Sequence, residues 1–336
     1  MSPTSDERPL EARIDARLHA QIVSRRPLLL DDGADEACDR LAFVRAASGM
    51  AWIGERLAIV QDDVAFLAII EGERVRAVPL PRGPGGRRRF ETALGNKLDK
   101  YDFESCFAVE GADGPRLFAF GSGPNVNRRH VAILDADRGV ARLVLAERLY
   151  ENLRAACGLP EHLLTIEGAL VRGEEACFLQ RGNRWHPSAI VSVPLGALNT
   201  WLEDGAEGPA PSVSGIVRHD LGRTNGVAYG FTDGTTLADG RIVFLAAAED
   251  TDDPIADGVV LGMRIGVVTR AAAHMCELLD ESGRPATIKA EGLAVDRVSP
   301  ARLWLVTDAD DATLPAELIE VCWGGFDALE GVTHRA

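Results

Sequence analysis

The sequence lacks the features of membrane, zinc-binding and disulfide-rich proteins. No apolar stretch reaches the length of about 18 residues that a transmembrane helix needs. The N-terminal segment MSPTSDERPLEARIDARLHAQ has no apolar core, which argues against a signal peptide. None of the six cysteines forms a CxxC pair, so we expect reduced, buried thiols rather than a zinc site. Together these absences predict a cytoplasmic protein that does not associate with membranes.

Basic residues are also scarce. The 336 residues include 36 Lys and Arg against 51 Asp and Glu, for a formal net charge of −15. Nucleic-acid binding requires a basic surface that neutralises phosphates, so we predict no nucleic-acid partner. The acidic balance is explained by solubility alone, or by carboxylates that hold a cation.

The clearest pattern in the chain is an internal repeat. Five segments begin with a polar residue and a small one, continue as a short apolar strand, turn, and return as a stronger apolar strand. Examples are SGMAWIGERLAIVQDD from Ser48 and EGALVRGEEACFLQRGN from Glu167. The repeat starts at Ser48, Glu104, Glu167, Asn225 and Glu291. Each segment has the pattern of a β-hairpin, and further apolar strands follow it.

This repeat predicts an all-β fold, a five-bladed β-propeller that forms a single domain over residues 1–336. The spacing is longer than the roughly 40–50 residues of common propeller repeats, which suits four strands with long loops. Too little sequence follows Glu291 for a complete blade, so we expect residues 21–32 to supply the closing strand. Short helices are expected at 89–98, 145–155 and 270–280.

Polar residues should converge at one mouth of the central channel. The first strand of a blade lines the channel and the second runs antiparallel to it, so the start of one meets the end of the other. The predicted metal ligands are the repeat starts: Ser48, Glu104, Glu167, Asn225 and Glu291. Ionised glutamates around a narrow axis would repel one another. A Ca²⁺ ion with several oxygen ligands would offset this repulsion, as would hydrogen bonds to strand N–H groups or shared protons and water.

The strand starts resemble a known family. Segments such as KAEGLAV (289–295) and IEGALV (166–171) resemble the innermost strands of calcium-dependent apyrases of the soluble nucleotidase type. Those apyrases are five-bladed propellers with a central calcium, and Ser or Glu opens each inner strand. The resemblance covers the strand starts only, and Asn225 departs from it, which leaves its ligand role in doubt.

Two further resemblances concern other segments. EGLAVD (291–296) is similar to esterase-like phytase propellers. NKLDKYDFES (96–105), FLQRGN (178–183) and LVTDADD (305–311) resemble a family of bacterial propeller domains of unknown function, which implies no activity.

Several loops carry candidate ligand-binding groups. Lys97 precedes Glu104 and either binds a phosphate or carboxylate or belongs to a solvated loop. Ser122 lies in a Gly-Ser-Gly turn ahead of Arg128, a pattern that can hold an oxyanion but also occurs in ordinary tight turns. Arg181 and Asn183 end a strand that faces the channel, where Arg181 either orients a substrate phosphate or pairs with Glu167 or Glu104.

Candidate general bases lie in acidic turns. Asp308 or Glu249 would activate a water molecule, although Asp-rich turns are common without such a role. The segment around Asp308 lacks the spacing of a calcium-binding loop. No HExxH motif, P-loop or G-x-S-x-G elbow occurs, and no Ser/His/Asp order is recoverable.

Three functions fit these patterns. The first is a Ca²⁺-dependent hydrolase of a phosphorylated or otherwise anionic small molecule. The second is a non-catalytic propeller that binds a ligand or a protein loop and holds a structural metal. The third is a metal-free enzyme of the lactonase or lyase type, for which the sequence singles out no residues. The sequence indicates neither the substrate nor the oligomeric state.

Overall fold

The computed structural model describes residues 8–111, 114–251, 258–269 and 272–329. Within these residues the fold is all-β, and most strands belong to four-stranded antiparallel units. Unit 1 contains β3 (Ala47–Ile53), β4 (Arg56–Gln61), β5 (Phe66–Glu71) and β6 (Arg74–Pro79). Unit 2 contains β7 (Phe103–Gly111), β8 (Gly114–Gly121), β9 (His130–Asp135) and β10 (Val140–Leu145).

The remaining units follow the same order. Unit 3 contains β11 (Ile166–Arg172), β12 (Glu175–Gln180), β13 (Ser188–Pro194) and β14 (Gly215–Asp220). After the small hairpin of β15 (Arg223–Thr224) and β16 (Val227–Ala228), unit 4 contains β17 (Gly230–Thr236), β18 (Ile242–Asp250), β19 (Val259–Val268) and β20 (Ala273–Leu279). Unit 5 contains β21 (Ala290–Val295), β22 (Arg302–Thr307) and β23 (Glu317–Gly324).

The first strands of the units form a ring of neighbours. β3 contacts β7, β7 contacts β11, β11 contacts β17, β17 contacts β21, and β21 returns to β3. Buried apolar side chains fill the spaces between adjacent units, as where Phe120 of unit 2 packs against Phe178 of unit 3 with ring centroids 5.0 Å apart. The inner strands therefore surround a common axis, and the core lies in layers between units.

Each inner strand has a β-bulge near its start. The pairing with the second strand shifts register once in every unit, so that one residue is left out of the ladder. A bulge redirects the side chain of the extra residue. The residues at this position, called the ring residues below, are Ser48, Glu104, Glu167, Thr232 and Glu291.

Small residues follow the bulges because the strands approach closely at the axis. A Cβ atom on Gly49 would lie 2.7 Å from the backbone oxygen of Glu104, and one on Gly292 would lie 3.1 Å from the Cα atom of Gly49. Both distances are too short for ordinary packing. The sequence pattern of a polar residue followed by a small one thus corresponds to a ring residue followed by the residue nearest the axis, called the axial residue below.

Asp233 occupies the axial position in unit 4 and joins three units. Its carboxylate accepts a hydrogen bond from the backbone N–H of Leu293 in unit 5 at 2.7 Å, and others from the N–H groups of Met50 in unit 1 and of Gly234. Burial raises the pKa of Asp233 well above its ordinary value, although these hydrogen bonds act in the opposite direction. One buried side chain therefore satisfies backbone donors on two other inner strands.

Two N-terminal strands complete the ring. β2 (His19–Pro27) pairs antiparallel with β23 and supplies the fourth strand of unit 5, close to the predicted closing segment 21–32. β1 (Leu10–Ile14) lies between β14 and β20 and pairs in parallel with both, which joins the outer edges of units 3 and 4. The N-terminal segment therefore connects three units.

Helices are few and short. α1 (Glu147–Cys157) confirms the helix predicted at 145–155, whereas 89–98 contains only short 3-10 turns, among them Thr92–Leu94. The predicted helix at 270–280 is wrong, because β20 occupies its described part. α2 (Leu195–Glu203) was not predicted. Neither α-helix in the described part of the chain has the length and apolar character to cross a bilayer.

We predict that the free energy of unfolding depends on the apolar side of β2. Ile22 is 1% exposed and belongs to the core between units 4 and 5, whereas the neighbouring Val23 is 50% exposed. Ile22→Ala should lower the free energy of unfolding by about 2–4 kcal/mol, because it leaves a cavity in that core. Val23→Ala should change it by about 0.5 kcal/mol or less. Equal effects of the two variants in urea titrations would contradict the conclusion that β2 completes unit 5 through its apolar side.

Candidate active site

The ring residues lie at the mouth, the end of the ring where inner strands start and second strands finish. Four of the five predicted ligands, Ser48, Glu104, Glu167 and Glu291, occupy this position. The expectation for Asn225 is wrong, since Thr232 is the equivalent residue in unit 4. Asn225 is exposed and forms the two-residue turn between β15 and β16 with Gly226, at φ values of 50° and 85°. Both are left-handed conformations, typical of an Asn-Gly hairpin turn.

The three ring glutamates influence one another electrostatically. The pKa of Glu104 is raised well above its usual range by burial first and then by nearby negative charges that include Glu167 and Glu291. Burial also raises the pKa of Glu291 well above normal, again with a contribution from Glu167. Burial raises the pKa of Glu167, with further raising by Glu249 and Asp102 and lowering by Arg181. The bulges therefore place three partly buried carboxylates from different units at the same end of the ring.

A lysine lies among the carboxylates next to Glu104. The ammonium of Lys100 is 2.5 Å from Asp62, 2.7 Å from Asp102 and 3.4 Å from Asp63. Carboxylate oxygens of Asp62, Asp102 and Glu104 all lie within 4.8 Å of one another, a spacing that could hold a metal ion. Because Lys100 already contacts two of the three, a cation of the protein itself occupies this cluster.

Asp102 has two more partners. Arg128 contacts its carboxylate at 2.8 Å, and the hydroxyl of Ser122 donates a hydrogen bond to the same carboxylate oxygen. Burial alone would raise the pKa of Asp102, but Lys100 and Arg128 outweigh that effect and lower it. Arg128 and Ser122, predicted to bind an anion, are thus brought to the mouth but are engaged with Asp102.

The other glutamates also have basic neighbours. Arg181 lies 3.7 Å from Glu167 and 3.6 Å from Glu249. The contact with Glu167 agrees with one of the two predicted roles of Arg181, pairing with a ring glutamate. Ahead of unit 5, Lys289 lies 3.3 Å from Glu291 and also contacts Asp308 and Asp310, at 3.6 Å and 2.7 Å. Among the described residues at the mouth, the carboxylates named here still outnumber the basic side chains.

Two predicted residues lie outside the contacts described so far, although the charge of Lys97 helps to lower the pKa of Asp63. Asn183 uses its side-chain oxygen to accept the N–H groups of Trp185 and His186, each at 2.9 Å, and so shapes its own loop. Lys97 is exposed, in the 3-10 turn Lys97–Asp99. The residues predicted to bind an anion therefore do not form a single binding group in the described structure.

Lys100 and Lys289 were not among the predicted ligands. One signal was present, because Lys289 lies two residues before Glu291 and Lys100 lies four residues before Glu104. A lysine so close to the start of an inner strand lies at the same end of the ring as the glutamate that follows it.

The ring contains oxygen ligands of the types that a hard cation prefers, although among the described residues the three carboxylates that lie within 4.8 Å of one another are those of Asp62, Asp102 and Glu104. Besides its three glutamates the ring contains the hydroxyls of Ser48 and Thr232, whose hydrogens are donated to the carbonyls of Ala46 and Ala290 at 3.0 Å and 3.1 Å. Their lone pairs therefore remain available to a cation. Carboxylate and hydroxyl oxygens match the preference of Ca²⁺ for oxygen ligands.

An open cleft of about 810 Å³ adjoins the mouth between units 4 and 5. It is lined by Lys289, Asp308 and Asp310 and by apolar residues that include Val259 and Leu314. This volume lies within the usual range of about 300–1,000 Å³ for small-molecule sites. A ligand in the cleft would reach the Glu291 side of the ring through Lys289.

Comparison with known proteins gives a family and a set of distant structures. A model of a family of unknown function, DUF6929, matches residues 43–322. No curated protein matches the sequence.

Three solved structures illustrate the structural likeness. Glutaminyl cyclase from Myxococcus xanthus is 12% identical, with 97% of this chain and 100% of that chain covered and a TM-score of 0.45. A mannose phosphorylase from Leishmania mexicana is 12% identical, with 94% of each chain covered and a TM-score of 0.43. A GH93 α-L-arabinofuranosidase from Fusarium graminearum is 6% identical, with 90% and 98% covered and a TM-score of 0.43. Likeness at this level says nothing about activity.

We predict that Glu104 makes the metal-free protein less stable as the pH rises. A carboxyl group whose pKa is higher in the folded state keeps its proton there after the unfolded chain has lost it, so stability falls above the ordinary value of 4.5. Glu104→Gln should flatten this dependence and raise the free energy of unfolding at pH 8 by about 1 kcal/mol. Denaturant titrations from pH 4 to 8 with chelator present would measure it.

Glu110→Gln is the matched control, because Glu110 lies on the same strand but is exposed. It should leave the pH dependence unchanged. A wild-type stability that rises across this pH range and is lowered by Glu104→Gln would contradict the prediction.

Proposed function

We propose that this chain, which belongs to the family of unknown function DUF6929, forms a five-bladed β-propeller whose mouth binds Ca²⁺ and, beside the ion, a small anionic molecule. The family assignment agrees with the resemblance of the segments NKLDKYDFES, FLQRGN and LVTDADD to a family of unknown function. The five-bladed arrangement is supported by the closed succession of contacts among the inner strands and by the completion of unit 5 by β2.

The observation that carries the metal proposal is the repetition of a carboxylate at one bulge position. Glu167 and Glu291 both help to raise the pKa of Glu104, and Glu167 helps to raise that of Glu291, so a divalent cation among them would replace repulsion with attraction. Ser48 and Thr232 would add hydroxyl oxygens. The ion belongs in the ring rather than between Asp62 and Asp102, because Lys100 already contacts both.

The small molecule belongs in the cleft beside the ring. Lys289 is the basic group that lines both the cleft and the Glu291 side of the ring, while apolar residues such as Val259 and Leu314 form its walls. The mouth has an excess of carboxylates among its described residues, so an anion would bind there only when a cation has offset part of this charge. Ligand binding should therefore depend on the metal.

Hydrolysis is the second candidate, and Glu249 favours it. The Oε2 atom of Glu249 is buried without a hydrogen-bond partner among the described residues, and Arg181 lies 3.6 Å away. Such an oxygen can accept a proton from water. Asp308 is less suited, since one of its oxygens accepts the N–H of Asp310 at 2.9 Å. A bound Ca²⁺ would supply Lewis-acid polarisation of the substrate.

We predict that Ca²⁺ stabilises the protein through the ring. Ca²⁺ at a hundredfold excess over its Kd should add about 2.7 kcal/mol to the free energy of unfolding. Glu167→Gln should remove most of this gain, whereas Glu174→Gln, an exposed change at the other end of the same unit, should keep it. Thermal unfolding with EDTA and with Ca²⁺, together with metal analysis of the purified protein, would test this. Absence of both bound metal and Ca²⁺ response would refute the metal proposal.

We predict that Glu249→Gln separates hydrolysis from binding. Loss of a general base should lower the hydrolysis rate by about 10²–10⁴-fold, while the Ca²⁺-dependent gain in stability remains. Asp250→Asn, a change at the exposed neighbouring residue, should preserve the rate. The assay is a panel of phosphoesters and nucleotides with Ca²⁺. A wild-type protein that binds Ca²⁺ but hydrolyses none of them would leave binding as the function, and equal losses in both variants would exclude Glu249 as the base.

A further inference from the structure

A second, smaller cavity lies at the end of the ring opposite the mouth. It has a volume of about 230 Å³ and lies between units 1 and 2. Its lining includes Ile53, the last residue of β3, Arg56, the first residue of β4, and the turn after β9 with Asp137 and Arg138. None of the ring residues and none of the basic residues at the mouth line it.

The charge of this cavity is opposite to that of the whole protein. Three arginines, Arg56, Arg76 and Arg138, line it together with a single carboxylate, Asp137. The chain as a whole has a formal net charge of −15. A local excess of guanidinium groups around one cavity favours an anionic ligand.

These guanidinium groups are only loosely paired. Arg56 lies 4.0 Å from Asp137 and donates to the carbonyl of Ala136 at 3.5 Å. Arg76 lies 3.8 Å from Glu71, and Arg138 lies 3.5 Å from Asp135. Charge-assisted hydrogen bonds to a carboxylate are typically about 2.7–2.9 Å long. The donors therefore retain capacity for a closer anionic partner.

The rest of the lining is apolar. Ile53, Ile69 and Leu134 are almost completely buried and form its floor, and Val78 and Ala136 extend it. The volume corresponds to about eight water molecules. A ligand that fits has one anionic group at the arginines and a short apolar body against the floor.

We propose that this arginine cavity binds a small organic anion, a carboxylate or phosphate attached to a short hydrocarbon group. Arg56 and Arg76 bind the anionic group, because their side chains are 25% and 51% exposed, whereas Arg138 at 71% extends further into solvent. The site is independent of the Ca²⁺ ring and of the cleft at the mouth.

Isothermal titration of the full chain with hexanoate tests the proposal, with EDTA and with Ca²⁺ in separate experiments. Hexanoate should bind with one-to-one stoichiometry and a Kd in the millimolar range or below under both conditions. Acetate, which lacks the apolar body, and hexylammonium, which reverses the charge, should each bind at least about tenfold more weakly.

Three variants locate the site. Arg56→Gln and Arg76→Gln should each weaken hexanoate binding about tenfold or more, because each removes a charged donor. Arg74→Gln removes the same charge from the same strand, two residues from Arg76 and outside the cavity, and should leave binding unchanged. Thermal unfolding would confirm that each variant is folded.

The proposal is overturned by any of three results. These are the absence of hexanoate binding at about 10 mM, equal binding of hexylammonium, and equal weakening by Arg74→Gln and Arg76→Gln. Because the titrations with EDTA do not involve the ring, failure here leaves the Ca²⁺ proposal standing, and failure of the Ca²⁺ proposal leaves this one standing.

Discussion

The close approach of the inner strands at the axis is the constraint on which the rest of the structure depends. No side chain fits at Gly49, where a Cβ atom would lie 2.7 Å from a backbone oxygen of unit 2. The residues that follow the bulges in units 2 and 4 do have side chains, Ser105 and Asp233, and the carboxylate of Asp233 accepts N–H groups from units 1 and 5. The residue before each axial position is displaced by a bulge. The glutamates at the mouth are therefore brought together by backbone geometry, and their repulsion follows from the way in which the units meet.

Basic side chains reduce this repulsion unevenly. Lys100 and Arg128 together hold the pKa of Asp102 low, whereas burial and the neighbouring Asp63 and Asp102 raise that of Asp62 despite Lys100. Glu104 and Glu291 keep raised pKa values despite their basic neighbours. The groups with raised pKa values thus include two ring glutamates and Asp62 beside them. A cation site in the ring differs from one between Asp62 and Asp102 in the position of Lys100, which contacts both aspartates.

The sequence was most informative where chain geometry repeats. Four of five ring residues could be located because the bulge and the axial contact require a polar residue followed by a small one. The fifth was misplaced for two reasons. Asn225 and Gly226 have the same pattern because they form a hairpin turn. In unit 4 the ring residue Thr232 is followed by Asp233, a hydrogen-bonding residue, where three other units have glycine.

Features that depend on contacts between distant segments were not predictable. Lys100 and Lys289 lie in connecting segments whose paths are set by the neighbouring units. The pattern at 270–280 suggested a helix, but β19 and β1 pair with the described part of that segment and make it a strand. Both cavities are lined by residues from segments far apart in the chain, so no local pattern marks them.

The pairing of β2 with β23 also has a consequence for biosynthesis. β2 leaves the ribosome early, whereas residues 317–324, its antiparallel partner, are translated almost 300 positions later. Until β20 and then β23 have been translated, Leu18, Ala20 and Ile22, which are buried in the folded protein, have no partner strand beside them. An unpaired strand with apolar side chains is prone to aggregate. The same pairing that closes the ring thus leaves apolar residues of the nascent chain uncovered while the intervening units are translated.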